Sequence, residues 1–196
     1  YNKIKTSDNI NYDFVLGFSY LLLCNYEFDR GFDLFDSRLK SQNFHLKNIH
    51  HKNIVSKISL DDTLDKDDKI LVVKEQGVGD EILFSSLYKD LINFYPNTKI
   101  ECDSRLINIF KRSFNKDIFY EFGFFTSSTE KLKYFDKVLY AGSLTKYFRR
   151  DIKQFIQGPY IKSDKSKDAD IAAQISKFNK TKKIGISWKS VFNIYG

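Results

Sequence analysis

The 196-residue sequence contains no methionine and few of the residues that would assign it to a structural class by themselves. It has two cysteines, two prolines and one tryptophan. Cys24 and Cys102 lie far apart, in segments that predict a helix and a strand, so we expect two buried thiols in a reduced, cytoplasmic chain rather than a disulfide scaffold. The longest apolar stretch, residues 15–24, is about half of the ~20 residues that a bilayer-spanning helix requires. No transmembrane segment is therefore predicted.

Arginine is also scarce. The formal net charge is +7, but only six of the 32 basic residues are arginine, and the basic residues are spread along the chain. Arg149 and Arg150, with Lys146 and Lys153, form the one local basic group, and we interpret them as the solvated face of a helix. The charge therefore gives no reason to predict nucleic-acid binding.

The sequence does not predict a metal site. The three histidines, His45, His50 and His51, lie in a polar segment, and two of them are adjacent rather than four residues apart on a helix. No cysteine or carboxylate stands at ligand spacing from them. We therefore expect neither a metal nor a bound cofactor.

The most informative segment is residues 69–87, where a short apolar run passes through two glycines into a helical pattern. Residues 70–73 are typical of a strand buried on both faces of a parallel sheet, and apolar residues then recur at helical spacing. In such a sheet ligands bind at the carboxyl ends of the strands, and Gly77 and Gly79 would let a ligand approach the backbone closely. Asp80 follows at the start of the helix, where it would face that ligand.

From residue 69 onward, predicted strands alternate with predicted helices, which favours a parallel α/β sheet with right-handed crossovers. We expect one helix from about 80 to 95, and a second from Ser104, which is a suitable N-cap, to about 113. The predicted strands are 69–74, 98–102, 118–121, 137–140 and 183–188. The remaining helices are predicted at 128–134, 145–156 and 168–178.

Residues 11–40 predict two helices joined by a short turn. In the second helix Phe28, Phe32 and Phe35 lie on one stripe, which we expect to be buried. The pair fits a degraded tetratricopeptide unit, since Gly31-x-x-x-Phe35 takes the place of A-x-x-x-F in that repeat. An ordinary helical hairpin explains the pattern about as well.

These patterns divide the chain into four parts. Polar and charged residues predict a linker at 46–68, between a helical hairpin at 1–45 and a Rossmann-like domain at 69–182. Residues 183–196 are expected to begin a further domain. Because the sequence starts at Tyr1 without a methionine and stops soon after a predicted strand, we expect it to be part of a longer protein.

The Gly77-x-Gly79 pair by itself is a weak signal of nucleotide binding. The dinucleotide fingerprint requires a third glycine where this chain has Ile82. If the segment did bind NAD, Glu101 or Asp103 at the end of the next strand would be the acid that binds the ribose. A P-loop is excluded for this segment, since no Gly-Lys-Ser/Thr follows.

Asp80 also has a purely structural interpretation. An acidic residue at a helix N-terminus is favoured by capping and by the helix dipole, whether or not a ligand binds there.

Residues 75–84 resemble the signature of an enzyme family. Glu75-Gln-Gly-Val-Gly-Asp-Glu-Ile-Leu-Phe84, preceded by Ile-Leu-Val-Val, resembles the E-Q-G-x-G-D-x-I-x-F signature of bacterial tetratricopeptide-repeat glycosyltransferases. The segment from Phe28 to Arg38 resembles the last repeat of that family, F-x-x-G-W-x-x-Y-E-x-R. Further matching segments follow in the same order, so that the resemblance covers about residues 14–196.

This resemblance implies a Rossmann-like parallel sheet, the N-terminal half of a GT-B fold, preceded by a tetratricopeptide-like helical hairpin. The family is similar to the heptosyltransferases of lipopolysaccharide assembly. The resemblance also implies transfer of a sugar from a nucleotide sugar to a hydroxyl of a glycan, lipid or protein acceptor, without a metal. Most of the donor-binding half would lie beyond residue 183.

The resemblance also implies roles for particular residues. Asp80 would act as the general base on the acceptor hydroxyl. The substrates would be bound by Gln76, Gly77, Gly79, Ser143 and Lys189. The helical repeat would be available to a protein partner.

A second hypothesis makes the chain a non-catalytic protein-binding scaffold of tetratricopeptide type. The helical pair would then bind a peptide or protein, and the α/β part would have no activity. The two hypotheses differ at Asp80, because a scaffold would tolerate asparagine there and an enzyme would not.

Overall fold

The structure of the chain is a computed structural model that describes residues 10–40, 54, 63–178, 182 and 184. The three histidines, Lys189 and most of the predicted strand 183–188 lie outside these residues. The chain divides into two compact units, residues 1–162 and residues 163–196. The helical pair therefore belongs to the same unit as the sheet. No helix of the described residues has the length and apolarity that a membrane span needs.

Within the residues that the structure describes, the sheet contains four strands: β1 (Ile70–Val73), β2 (Thr98–Cys102), β3 (Phe119–Glu121) and β4 (Lys137–Tyr140). They are all parallel, in the order β3-β2-β1-β4. Strand β1 is thus an interior strand, with Ile70 aligned beside Thr98 of β2 and Lys137 of β4. The predicted parallel α/β sheet and these four strands are confirmed.

The two faces of the sheet bury alternate residues of β1. Ile70 and Val72 pack into the larger core, together with side chains of the following helices. Leu71 and Val73 pack on the opposite face, in a second cluster that includes Phe135. All four side chains are fully buried. A strand covered on both faces has to be apolar throughout, which is why its sequence shows a continuous run rather than alternation.

The helices with described bounds are α1 (Tyr12–Cys24), α2 (Phe28–Phe35), α3 (Val78–Ser85), α4 (Tyr88–Phe94), α5 (Ser104–Phe114), α6 (Thr129–Leu132), α7 (Thr145–Phe148) and α8 (Lys165–Ser176). Short 3₁₀ turns occupy Asp36–Lys40, Ala141–Leu144 and Ile152–Gln154. The prediction of one helix at 145–156 was wrong, because that segment contains α7 and a separate 3₁₀ turn.

The single helix predicted at 80–95 is instead two helices, α3 and α4. At the break, the N–H groups of Ser86 and Leu87 bond to carbonyls three residues back. The Ser86 carbonyl accepts a hydrogen bond from Arg149 at 2.9 Å. Because this donor is distant in the sequence, local periodicity could not indicate the break.

The basic group near α7 was predicted to be a solvated helix face, but only Lys153 is exposed and two of the other members are buried. Arg149 is buried, and its guanidinium donates to Asp90 at 2.7 Å. Lys146 is also buried, with its ammonium 3.0 Å from Asp36. These cations stabilise the interior of the unit.

Helices α1 and α2 form the predicted pair. Val15, Leu22 and Leu34 make an apolar cluster between them. The helices approach closely at Gly31, where a Cβ atom would lie 2.6 Å from the Leu23 side chain. A larger residue at this position would require the Leu23 side chain to shift.

The aromatic stripe of α2 is buried only in part. Phe35 is buried, whereas Phe28 and Phe32 are half-buried. Phe32 packs against the core of the sheet, which joins the helical pair to the α/β part. Cys102 is buried as predicted, but Cys24, at the end of α1, is exposed.

Candidate functional site

The loop from β1 to α3 brings four of the predicted site residues together at the carboxyl edge of the sheet. Gln76 is exposed and has a left-handed backbone, with φ of 59°. Gly77 is the N-cap of α3, and Gly79 and Asp80 lie in its first turn. Ligands bind at this edge in open α/β sheets. The loop therefore has the position that a binding site requires.

Asp80 is half-buried, and its carboxylate contacts the loop backbone. The Oδ2 atom accepts a hydrogen bond from the Gly77 N–H at 3.1 Å. Within the described part of the chain, no donor bonds to Oδ1. One oxygen thus caps the helix, and the other is available for a further hydrogen bond.

The fold does not require glycine at positions 77 and 79. Neither residue has a positive φ. A Cβ atom at Gly79 would meet no atom within 4 Å, and one at Gly77 would make an ordinary 3.5 Å contact with Asp80. The two glycines leave the backbone N–H groups of the first helical turn open to an approaching molecule.

Ser143 lies in a buried polar network in the 3₁₀ turn after β4. Its hydroxyl donates to Asp36 Oδ1 at 2.6 Å. It also accepts a hydrogen bond from Arg38 Nη2 at 3.1 Å. Both partners come from the turn that follows α2, so Ser143 contacts the helical pair rather than the exposed loop.

Arg38 lies at the centre of this network and is fully buried. Its Nε and Nη2 atoms donate to the two carboxylate oxygens of Glu75 at 2.9 and 2.8 Å. Nη1 donates to Asp36 at 2.7 Å, and the guanidinium carbon lies 4.2 Å from the centre of the Phe35 ring. A bidentate pair of this kind fixes direction as well as distance. Arg38 therefore locks the helical pair to the start of the candidate loop.

The charges in the network keep one another ionised. Burial raises the pKa of Asp36, but Arg38 and Lys146 outweigh it and hold that pKa below its ordinary value of 3.8. Burial lowers the pKa of Arg38, but Glu75 and Asp36 reverse this effect and raise it. Asp36 and Arg38 are consequently both charged at neutral pH.

Gly142 allows the loop after β4 to reach the same network. Its N–H donates to Glu75. A Cβ atom here would lie 2.9 Å from Arg38 Nη2 and closer still to Glu75. In the strand order β3-β2-β1-β4, the loops after β1 and β4 flank the point where the chain changes direction across the sheet. Arg38 bridges these two loops.

A second charged cluster lies at the same edge of the sheet. Lys74 Nζ is 3.0 Å from Glu81 and 3.5 Å from Asp103. Glu81 is fully buried and accepts the Asp103 backbone N–H at 2.8 Å. Burial raises the pKa of Glu81 above its ordinary value of 4.5, although the Asp103 N–H and Lys74 oppose the rise. Glu81 was not among the predicted site residues; it is adjacent to Asp80 but is buried.

The acids considered for an NAD ribose have other partners. Glu101 is fully buried, and its carboxylate accepts hydrogen bonds from the backbone N–H groups of Gly123, Phe125 and Thr126. Asp103, and not the predicted Ser104, is the N-cap of α5, and it also pairs with Arg105. These contacts give no support to the NAD interpretation.

A cavity of about 400 Å³ lies beside α4 and α7. Its walls include Phe94, Tyr95 and Phe148, with Arg149 and Asp90. The last two are paired with each other. None of the predicted site residues lines this cavity. In the part of the chain that the structure describes, no group of His, Cys, Asp and Glu side chains could hold a metal ion.

Comparisons with known proteins do not assign a family. No protein-family model, curated protein sequence or solved structure matches the chain. The resemblance to the glycosyltransferases therefore rests on the residues of the signature and on the segments that accompany it.

Sequence reasoning identified the loop but missed its anchor. Glu75 is the first residue of the signature, and Arg38 is the last residue of the segment that resembles the repeat. Nothing in the sequence joins them, since 37 positions separate the two. The only signal in the sequence that could have indicated the pair is that Arg38 and Glu75 are oppositely charged and each lies at one end of a motif.

Proposed function

We propose that the chain is the acceptor-side half of a GT-B glycosyltransferase, which transfers a sugar from a nucleotide sugar to an acceptor hydroxyl. The observation that carries this proposal is that Gln76, Gly77, Gly79 and Asp80 lie on one loop at the carboxyl edge of an interior parallel strand. The helical pair packed on the sheet supports the further proposal of a tetratricopeptide-like repeat ahead of the GT-B half.

Asp80 is the proposed general base. The acceptor hydroxyl oxygen attacks the anomeric carbon of the donor, its proton passes to Asp80 Oδ1, and the bond from the anomeric carbon to the diphosphate breaks. The Gly77 N–H holds Oδ2 and so orients the carboxylate for this transfer. The reaction requires no metal in this proposal.

The surrounding residues would bind the acceptor and the donor. Gln76 is exposed and supplies an amide that can donate to and accept from sugar hydroxyls. Gly77 and Gly79 allow the reacting sugar to approach the helix N-terminus. The diphosphate would be bound by the donor-side half, to which Lys189 would contribute a positive charge.

The exposed thiol of Cys24 suits a reducing, cytoplasmic setting.

The hydrogen bond from Gly77 to Asp80 favours a second candidate function, a non-catalytic protein-binding scaffold, because capping alone accounts for it. In that case the helical pair would carry the function. Phe14 and Leu21 of α1 are exposed large apolar residues that a partner could cover.

Nucleotide release distinguishes the two candidates. The full-length protein would be incubated with a panel of UDP-, GDP-, ADP- and CMP-linked sugars, with and without a mixture of glycan acceptors. We expect one donor class to release its nucleotide, and the acceptors to increase the rate. Release no faster than that of the Asp80→Asn variant with every donor would contradict the enzyme proposal and favour the scaffold.

A further inference from the structure

The candidate loop has one buried side-chain anchor at its start. Between the end of β1 and the start of α3, the chain reads Lys74-Glu75-Gln76-Gly77. Glu75 is the one buried residue of these four, and the others are half-buried or exposed. Its carboxylate accepts hydrogen bonds from Arg38 Nε, from Arg38 Nη2 and from the Gly142 N–H. The loop is therefore anchored at its start by a buried polar side chain.

The residue after the anchor has a backbone that needs support. Gln76 has a φ of 59°. Residues other than glycine and asparagine adopt this left-handed backbone conformation with strain. Its side chain is exposed and so does not hold it in this conformation. The fixed position of Glu75 on one side and the hydrogen bond between Gly77 and Asp80 on the other define its geometry.

We propose that Arg38 is a positioning residue, which holds Glu75 and thereby fixes the loop that presents Gln76, Gly77 and Asp80. The importance of this role for catalysis rests on the proposed function. The ordering of the loop by Arg38 is independent of that function. Through Arg38 the helical pair becomes a structural part of the candidate site, because removing the pair would remove the anchor.

The chemistry of the pair explains why arginine is needed. The guanidinium donates to both Glu75 oxygens and also reaches Asp36 and Ser143 from a single planar group. A lysine ammonium is a point charge and cannot reproduce the bidentate geometry. Arg38→Lys should therefore keep the positive charge while loosening the loop.

The test measures backbone order in the loop by ¹⁵N relaxation in the intact protein. The variants are Arg38→Lys and the double variant Arg38→Met with Glu75→Leu, which removes both members of the bidentate pair together, while Asp36 keeps Lys146 as its partner. Order parameters at Gln76 and Gly77 should fall from about 0.85 to below about 0.6 in both variants. Those of β2 and α5 should stay unchanged.

Arg149→Met is the matched control. Arg149 is also a buried arginine of the same unit, but it donates hydrogen bonds to Asp90 and to the Phe148 and Ser86 carbonyls rather than to the 74–77 loop. This variant should lower stability and leave the order of the loop unchanged. An ordered loop in the double variant, or equal loosening in Arg149→Met, would overturn the proposal.

The consequence for catalysis is measured separately in the full-length protein. Arg38→Lys should lower kcat by up to about 100-fold, since a small misplacement of a catalytic group has effects of this size. The KM for the nucleotide sugar should stay constant, because in the proposed function the diphosphate of the donor is bound by the donor-side half. If the full-length protein transferred no sugar, the relaxation experiment would still test the positioning role. If the loop stayed ordered in Arg38→Lys, the positioning role would be overturned even if transfer were observed.

Discussion

Gly79→Ala should make the protein more stable and less active at once. The position lies in the first turn of α3, has no positive φ and offers a new Cβ atom open space. Replacing glycine by alanine at a compatible helical site stabilises a protein by about 0.4–1 kcal/mol, mainly because the unfolded chain loses freedom. For a chain of this size that corresponds to an increase of roughly 1–4 °C in Tm.

The same methyl group would occupy the space through which a ligand reaches the helix N-terminus. We therefore expect nucleotide release by the full-length Gly79→Ala protein to fall while thermal unfolding of the variant moves to higher temperature. Both can be measured on one preparation, by calorimetry and by the donor assay. A lower Tm, or unchanged turnover with a higher Tm, would refute the argument that this glycine serves a ligand rather than the fold.

Gly142→Ala is the matched comparison, because there the fold does require glycine. The added Cβ would collide with the bidentate pair of Arg38 and Glu75. Overpacking of a buried site costs about 1–3 kcal/mol, and rupture of the buried pair would cost about 3–5 kcal/mol. Gly142→Ala should therefore lower the Tm. Equal effects of the two alanine substitutions would contradict the distinction between the glycines.

Three further outcomes are expected. Phe35→Ala should reduce the free energy of unfolding in urea by about 3–5 kcal/mol, because the ring is buried and contacts Arg38. Glu81 has a raised pKa in the folded protein, so its protonated form stabilises the fold below the unfolded pKa and this contribution is lost as the pH rises through the folded pKa. The stability of Glu81→Gln relative to wild type should accordingly increase as the pH rises above 4.5, the ordinary value for glutamate, and a constant difference in denaturation experiments would contradict this. A thiol-reactive disulfide reagent should modify Cys24 rapidly in the native protein and leave Cys102, whose pKa is raised by burial to about 12, unmodified until unfolding.

The sequence was sufficient for the features that depend on local chemistry. The apolar run of β1, the glycines after it and the acid at the start of α3 placed the candidate loop at the carboxyl edge of the sheet. Each of these signals lies within about 20 residues, and each reflects a backbone or burial requirement that nearby residues satisfy.

The features that were missed depend on distant partners. The break between α3 and α4 involves Arg149, and the burial of Ser143 involves Asp36 and Arg38. A charged residue looks solvent-exposed in a sequence unless its partner is known. This is why Arg149 was assigned to a solvated helix face, and why Arg38 and Glu75 were seen only as parts of motifs.

The rate of sugar transfer by full-length Asp80→Asn tests the central claim most directly. Asparagine keeps an oxygen that can accept the Gly77 N–H, so the helix cap and the fold should persist while the proton acceptor is lost. Transfer should fall by about 100-fold to 10,000-fold, with the Tm and the binding of the nucleotide sugar nearly unchanged. Asp164→Asn is the matched control, because Asp164 caps α8 by accepting the Ser166 N–H at 3.1 Å, and this variant should keep wild-type turnover. Near-wild-type transfer by Asp80→Asn would contradict the account, and so would loss of folding in parallel with activity.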